Sequence, residues 1–192
     1  GRRISNLRID YVAGVNLAVR HLLELGHRRI GFLGGPSELK SARARQDAFL
    51  ECLRSFGIME DERLMEAGNH RIDGGLAAMQ KLLKLSRPPT AVLASNDLTA
   101  IGAFRGIRNA GLKVPEDISV VGFDDISQRY HFEPAITSVK FSRYEMGRCA
   151  VRLIHEHDDA VACQRHVFPV TLVEHQTTIP LTQVRKEAIA MA

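Results

Sequence analysis

Pro115-Glu-Asp-Ile-Ser-Val-Val-Gly-Phe-Asp-Asp-Ile126 is the stretch whose reading decides the fold. Ile118, Val120, Val121 and Phe123 form a short apolar run, rich in β-branched residues, that begins after Pro115 and stops at two carboxylates. That is the pattern of a strand buried on both faces, and such strands belong to parallel sheets. Ligands of open α/β sheets sit beyond the carboxyl ends of the strands, so Asp124 and Asp125 stand where a binding crevice is expected. The plainer reading gives them a turn and nothing more, since Asp is common in turns.

Working outward from this strand, the chain alternates helix and strand. Val12, Val15, Ala18, Val19, Leu22 and Leu25 recur at helical spacing and stop at Gly26, a suitable left-handed cap. Arg29 to Leu33 is a short buried strand that closes on Gly34-Gly35-Pro36, where the backbone must turn sharply. Ser41 is expected to cap the next helix, with Arg45 in its first turns, Ala48, Phe49, Cys52, Leu53 and Phe56 inward and Gly57 as the stop. A weaker strand follows over Arg63 to Ala67, and Asp73 is expected to cap a third helix that ends at Arg87-Pro88-Pro89. Thr90 to Ala94 is a further buried strand, and Ser95-Asn96-Asp97 starts a helix with Ile101, Phe104 and Ile107 inward and its end at Gly111. Strand-helix units in series predict a doubly wound parallel sheet with helices on both faces.

After Asp125 the rhythm changes. Ser127 to Pro134 has no apolar period, Ala135 to Phe141 reads as extended, and Ser142-Arg-Tyr-Glu145 is a capping box ahead of a helix with Met146, Cys149, Ala150, Leu153 and Ile154 on one face. Val167 to Val173 reads as one more strand, interrupted by Pro169, which cannot donate to a ladder and so marks an edge or a change of layer. Residues from Leu181 onward read as a loose tail.

Composition sets outer bounds. The chain has 192 residues, 45% hydrophobic and 25% charged, which suits one globular domain or one large lobe. The three cysteines, Cys52, Cys149 and Cys163, lack metal-ligand spacing and read as free thiols of a reducing compartment. No run approaches the ~18 apolar residues of a membrane span, so a cytoplasmic location is expected. The net charge of +4 is spread along the chain rather than gathered on one element, which permits a nucleic-acid partner without requiring one.

Several segments together carry a resemblance to a known family: His21-Leu-Leu-Glu-Leu-Gly-His-Arg-Arg-Ile30, Ser41-Ala-Arg-Ala-Arg45, Pro89-Thr-Ala-Val-Leu-Ala-Ser-Asn-Asp97, Ala100-Ile-Gly-Ala103 and Val114 to Ile126. In order and spacing the chain, from about Ile9 to Thr178, resembles the lactose/galactose-repressor (LacI/GalR) family of bacterial transcription regulators. The resemblance implies a type I periplasmic-binding-protein-like fold of two α/β lobes with a small-molecule effector in the cleft between them. What is present resembles the C-terminal lobe, about Asp10 to Val139 and Val170 to Thr178. The helix near Ser142 to His157 is expected to return to the other lobe. No helix-turn-helix is recognised in the sequence, so a partial effector-binding domain is expected, with operator DNA contacted only through an N-terminal domain of the intact protein. The resemblance also implies a homodimer, formed through the helix after Asp97 and the loop near Tyr130 to Phe132.

Carried over residue by residue, the family's effector contacts fall on Arg45, His70, Asn96, Asp124 and Phe141, with Ile9 lining the cleft near the crossover. Arg45 can fork two donors onto a hydroxyl pair or a carboxylate, Asn96 and Asp124 suit ligand hydroxyls, and Phe141 or His70 can cover an apolar face. Phe141 stands where the family often has glutamine, and His70 where it often has a larger aromatic, so the effector is left open as a sugar or purine-like metabolite. Each residue has a plainer role beside this one: a surface ion pair for Arg45, and a helix cap for Asn96-Asp97. His155 and His157, two apart, do not share a helical face, so no metal site is expected. Gly34-Gly35 lacks the spacing of a dinucleotide fingerprint, and no cofactor is expected. Two rival classes are a periplasmic sugar-binding protein of a transport system, which shares the fold, and an α/β enzyme using Asp124 and Asp125 as acid and base. No nucleophile beside a base, P-loop or metal cluster supports the enzyme.

Overall fold

The computed structural model describes residues 6–126, 132–155 and 165–183. Five parallel strands and one antiparallel strand form its main sheet: β2 (Ile30–Leu33), β3 (Met65–Glu66), β4 (Ala91–Ala94), β5 (Ser119–Phe123), β6 (Thr137–Phe141) and β8 (Val170–Val173), in the spatial order β3-β2-β4-β5-β6-β8. β8 is the antiparallel edge, pairing Phe141 with Val170 and Ser138 with Val173. Every residue of β2, β4 and β5 is buried, as their unbroken apolar runs require when helices cover both faces.

Two helices cover each face. On one, α1 (Tyr11–Glu24) and α2 (Lys40–Ser55) pack Val15, Val19, Leu22, Phe49 and Leu53 against Phe32, Leu93, Val121 and Phe123. On the other, α3 (Ile72–Leu83) and α4 (Asp97–Asn109) set Met79, Leu82, Ile101 and Ile107 against Leu33, Val92, Val120 and Ile136. α3 and α4 approach closely because Gly75 and Gly102 lack side chains: a Cβ on Gly102 would meet the Ile72 carbonyl and come within 2.6 Å of Leu76 N. This is the doubly wound sheet expected from the sequence. The chain leaves β2 toward β3 and then returns past β2 to β4, so the sheet's switch point lies between β2 and β4.

A second, two-stranded parallel sheet joins β1 (Asn6–Ile9) to β7 (Arg165–Phe168), with Ile9 opposite Phe168. Its first strand is absent from the sequence reading, because Asn6 to Arg8 carry no apolar run. Pro169 falls between β7 and β8, which lie in different sheets, so the expected change of layer is found there. α5 (Arg143–His155) follows β6 and begins where the capping box places it, with Ser142 Oγ accepting from Glu145 N at 3.2 Å. His157, Tyr130 and Cys163 lie outside the described residues. Phe132 is described and meets Phe104 edge-on, ring centres 5.0 Å apart.

Local details correct the sequence reading. The N-cap of α2 is Leu39, with no side-chain cap, so Ser41 lies inside the helix. α3 starts after Arg71, which leaves Asp73 in its first turn, where a carboxylate complements the helix dipole. Val12 is 49% exposed because α1 begins at Tyr11 and its apolar stripe starts a turn later. The weak strand over Arg63 to Ala67 contracts to Met65–Glu66 after a 3-10 turn over Glu62–Leu64. Leu181 to Gln183 is a 3-10 turn rather than a free tail, and Leu181 N donates to Leu25 O at 2.8 Å. Just before it, fully buried His27 holds Ile179 O with Nε2 and Thr90 Oγ1 with Nδ1, both at 3.0 Å. Cys52 and Cys149 are free thiols on α2 and α5.

Candidate functional site

Five of the six predicted site residues gather at the carboxyl ends of the main-sheet strands or on the elements that follow them, and they form one connected set. Arg45, on the second turn of α2, is 5% exposed and pairs with no carboxylate among the described residues. Its guanidinium carbon lies 4.1 Å from the Tyr11 ring centre and 4.6 Å from that of Phe123; the two rings are tilted 50° to each other and form a notch for the cation. One arm donates to Ser41 O at 3.3 Å, and the buried Nε has no hydrogen-bond partner among the described residues. Burial pulls the Arg45 pKa down, opposed by the Tyr11 and Asp124 side chains, yet a guanidinium stays charged.

Asp124 follows β5 in a left-handed conformation, with φ of 111°, and Asp125 continues it at 53°. A non-glycine residue holds such a backbone only where its surroundings over-determine it. Three successive amides do so here: Asp124 N donates to Val139 O at 2.7 Å, Asp125 N to Ser138 Oγ at 3.1 Å and Ile126 N to Asp97 Oδ2 at 2.6 Å. Arg143, at the start of α5, donates to the Asp124 carbonyl and lays its guanidinium 4.7 Å from the Phe141 ring centre. Burial raises the Asp124 pKa, while Arg45 and Arg143 pull it back.

The opposite side of the crevice is built at the switch point. His70 is also left-handed, φ 60°, and its Nε2 meets Ser95 Oγ at 2.9 Å. A side chain on Gly35 would collide with that imidazole, so the bare glycine after β2 is what admits it. Burial and, secondarily, Arg45 lower the His70 pKa, which favours the neutral ring. Asn96 fills the plainer of the two roles weighed for it: Oδ1 caps α4 by accepting from Thr99 N at 2.9 Å, while Nδ2 donates to His70 O at 3.1 Å. Ile9, the sixth residue, stands apart at the end of β1, packed on the apolar cluster that includes Phe123.

Sequence reading passed over Tyr11 and Arg143. Tyr11 directly follows Asp10, whose Oδ1 caps α1 by accepting from Ala13 N at 2.9 Å, so the cap fixes the ring at the crevice. A strand recognised over Asn6–Ile9 would have placed it at a carboxyl end. Arg143 was legible only as a member of the capping box. Among the described residues no cluster of His, Cys, Asp and Glu suits a metal ion.

Residues 19–178 match the periplasmic binding protein-like domain. The transcriptional repressor CytR of Escherichia coli is 39% identical over 151 residues, which are 79% of this chain and 44% of CytR. The crystal structure of the Escherichia coli transcriptional repressor ascG superposes with a TM-score of 0.81 at 30% identity, covering 93% of this chain and 70% of that one. The chain belongs to the LacI family.

A complex of the LacI-family regulator CelR with cellobiose matches at a TM-score of 0.80 and 34% identity, over 91% of this chain and 54% of that one. The chain spans less than half of the length of CytR. Its LacI-family relatives are transcription regulators rather than enzymes, which favours the regulator reading over the transport one. No described helix is long and apolar enough to cross a membrane.

Proposed function

We propose that this chain is the small-molecule-sensing region of a LacI-type transcription regulator, in which effector binding controls DNA binding allosterically in the intact protein. The observation that carries the reading is Arg45, a buried guanidinium whose Nε has no hydrogen-bond partner among the described residues, coupled electrostatically to the half-buried Asp124 carboxylate. A cation with a free donor beside an acceptor calls for a group that accepts from one and donates to the other, and a sugar hydroxyl does both. Asn96 and His70 add polar edges, Phe141 and Ile9 apolar ones. The main sheet with α1 to α4 would form one lobe, and β1, β7 and α5 would belong to a second lobe that closes over the ligand. A homodimer contacting DNA through a separate domain is the assembly this reading implies, with the cytoplasm as its compartment.

Calorimetric titration of the protein with a panel of neutral mono- and disaccharides, D-ribose and cellobiose among them, and of purine nucleosides tests the reading. Saturable binding of at least one hydroxyl-rich compound is expected. Absence of binding across the panel, with the fold verified, would overturn it.

A further inference from the structure

We infer that Asp97 is a positioning residue for Asp124, fixing the turn that carries it through the Ile126 amide and the Ser138 hydroxyl; this rests on Asp124 being a ligand group. Asp97 opens α4 and is fully buried. Its Oδ1 accepts from Ser138 Oγ at 2.6 Å and its Oδ2 from Ile126 N at 2.6 Å. Ser138 in turn accepts from Asp125 N at 3.1 Å, so one carboxylate closes a ring of bonds through β6 and two residues of the turn. A side chain on Gly122 would strike Oδ1 and come within 3.2 Å of Ile136, so the bare glycine in β5 is what lets the carboxylate reach the turn.

The turn needs this brace. Asp124 and Asp125 both hold positive φ, a conformation that relaxes unless neighbouring bonds hold it, and two of the three amides that hold it lead to Asp97 directly or through Ser138. Asn96, the preceding residue, ties the His70 backbone, so the first residues at the α4 start fix both sides of the crevice.

Burial lifts the Asp97 pKa to about 7; the Ser138 and Ile126 hydrogen bonds oppose that rise, and the charges of Asp124 and Asp125 add to it. The charged groups around the turn are Asp124, which faces Arg45 of α2 and Arg143 of α5, and Asp125, which faces Lys140 of β6 at 3.3 Å and His175 at 3.8 Å. When Asp97 takes a proton it can no longer accept equally at both oxygens, so the brace loosens as pH falls through its midpoint.

Nuclear magnetic resonance of the ¹⁵N-labelled 192-residue chain tests this without a ligand. The amide shifts of Asp125 and Ile126 should titrate with a midpoint near 7 in the natural protein. Asp97→Asn should abolish that titration, and Ser138→Ala, which removes a hydrogen bond to the ionised form, should move the midpoint upward. If Asp97→Asn does not fold, the direction of the Ser138→Ala shift decides. Amides that do not titrate, that titrate alike in Asp97→Asn, or that keep their midpoint in Ser138→Ala would overturn the brace. Parallel titration with cellobiose and D-ribose separates the two readings: coupled amides with no sugar bound would tell against Asp124 as a ligand group and leave its brace standing.

Discussion

The Arg45 guanidinium carbon stands 4.1 Å from the centre of the Tyr11 ring. Tyr11 comes from the start of α1 and Arg45 from α2, so the contact holds two helices and the candidate ligand group at once. A buried cation without an ion pair keeps its place through such ring contacts, worth about 1 to 2 kcal/mol when desolvated.

Tyr11→Leu keeps apolar bulk but removes the ring. It should lower stability by about 1 to 2 kcal/mol in chemical denaturation, and Tyr11→Phe should stay closer to the natural protein. Equal stability of Tyr11→Leu and the natural chain would show that Arg45 is held by something else.

His27 gives a pH-dependent prediction. Ile179 O can only accept, so Nε2 carries the proton and Nδ1 accepts from Thr90. Burial lowers the pKa of His27, and of His21 beside it, below 6.5 in the folded chain. The unfolded chain therefore binds these protons more readily, and the stability they contribute is present above about pH 6.5 and is lost as pH falls through the folded values. His27→Ala, which releases the segment at Ile179, should cost about 2 to 4 kcal/mol at neutral pH. It should also lose less further stability than the natural protein between about pH 7 and about pH 5. Asp97 runs the other way, since a carboxyl with a raised folded pKa costs more stability as pH rises from 3.8 to about 7. An unchanged difference between the two proteins across that range would contradict the assignment to His27.

Gly102→Ala tests the α3–α4 contact. The added methyl would meet backbone atoms of α3, which cannot swing aside as a side chain can. A loss of about 3 kcal/mol, or roughly 6 to 12 °C in melting temperature, is expected. A near-neutral result would mean the helices separate at little cost.

The main sheet was legible because its strands are buried on both faces and so read as unbroken apolar runs, and because Gly26, Gly57 and Gly111 stop three helices in left-handed conformations. β1 was not legible, since an edge strand of alternating exposure built from Asn, Leu, Arg and Ile has no such run. The caps at Ser41 and Asp73 misled because a good capping residue can equally sit in a first turn. At the site, Asp124 was proposed from the strand it ends, and Arg45 and Asn96 from the family resemblance. Tyr11 and Arg143 were not, because what places them is contact between elements distant in sequence: α1 against α2, and α5 against the turn after β5. Asp97 was read as a cap, and its bond to Ile126, 29 residues away, is visible only in the fold.

The most direct test of the central claim is calorimetry on Arg45→Ala and Asp124→Ala with whichever sugar or nucleoside the natural protein binds. Each change should weaken binding about ten- to a hundredfold, or about 1.5 to 3 kcal/mol, the worth of a hydrogen bond to a charged group. Unchanged affinity in both folded variants would contradict the account and return Arg45 and Asp124 to purely structural roles.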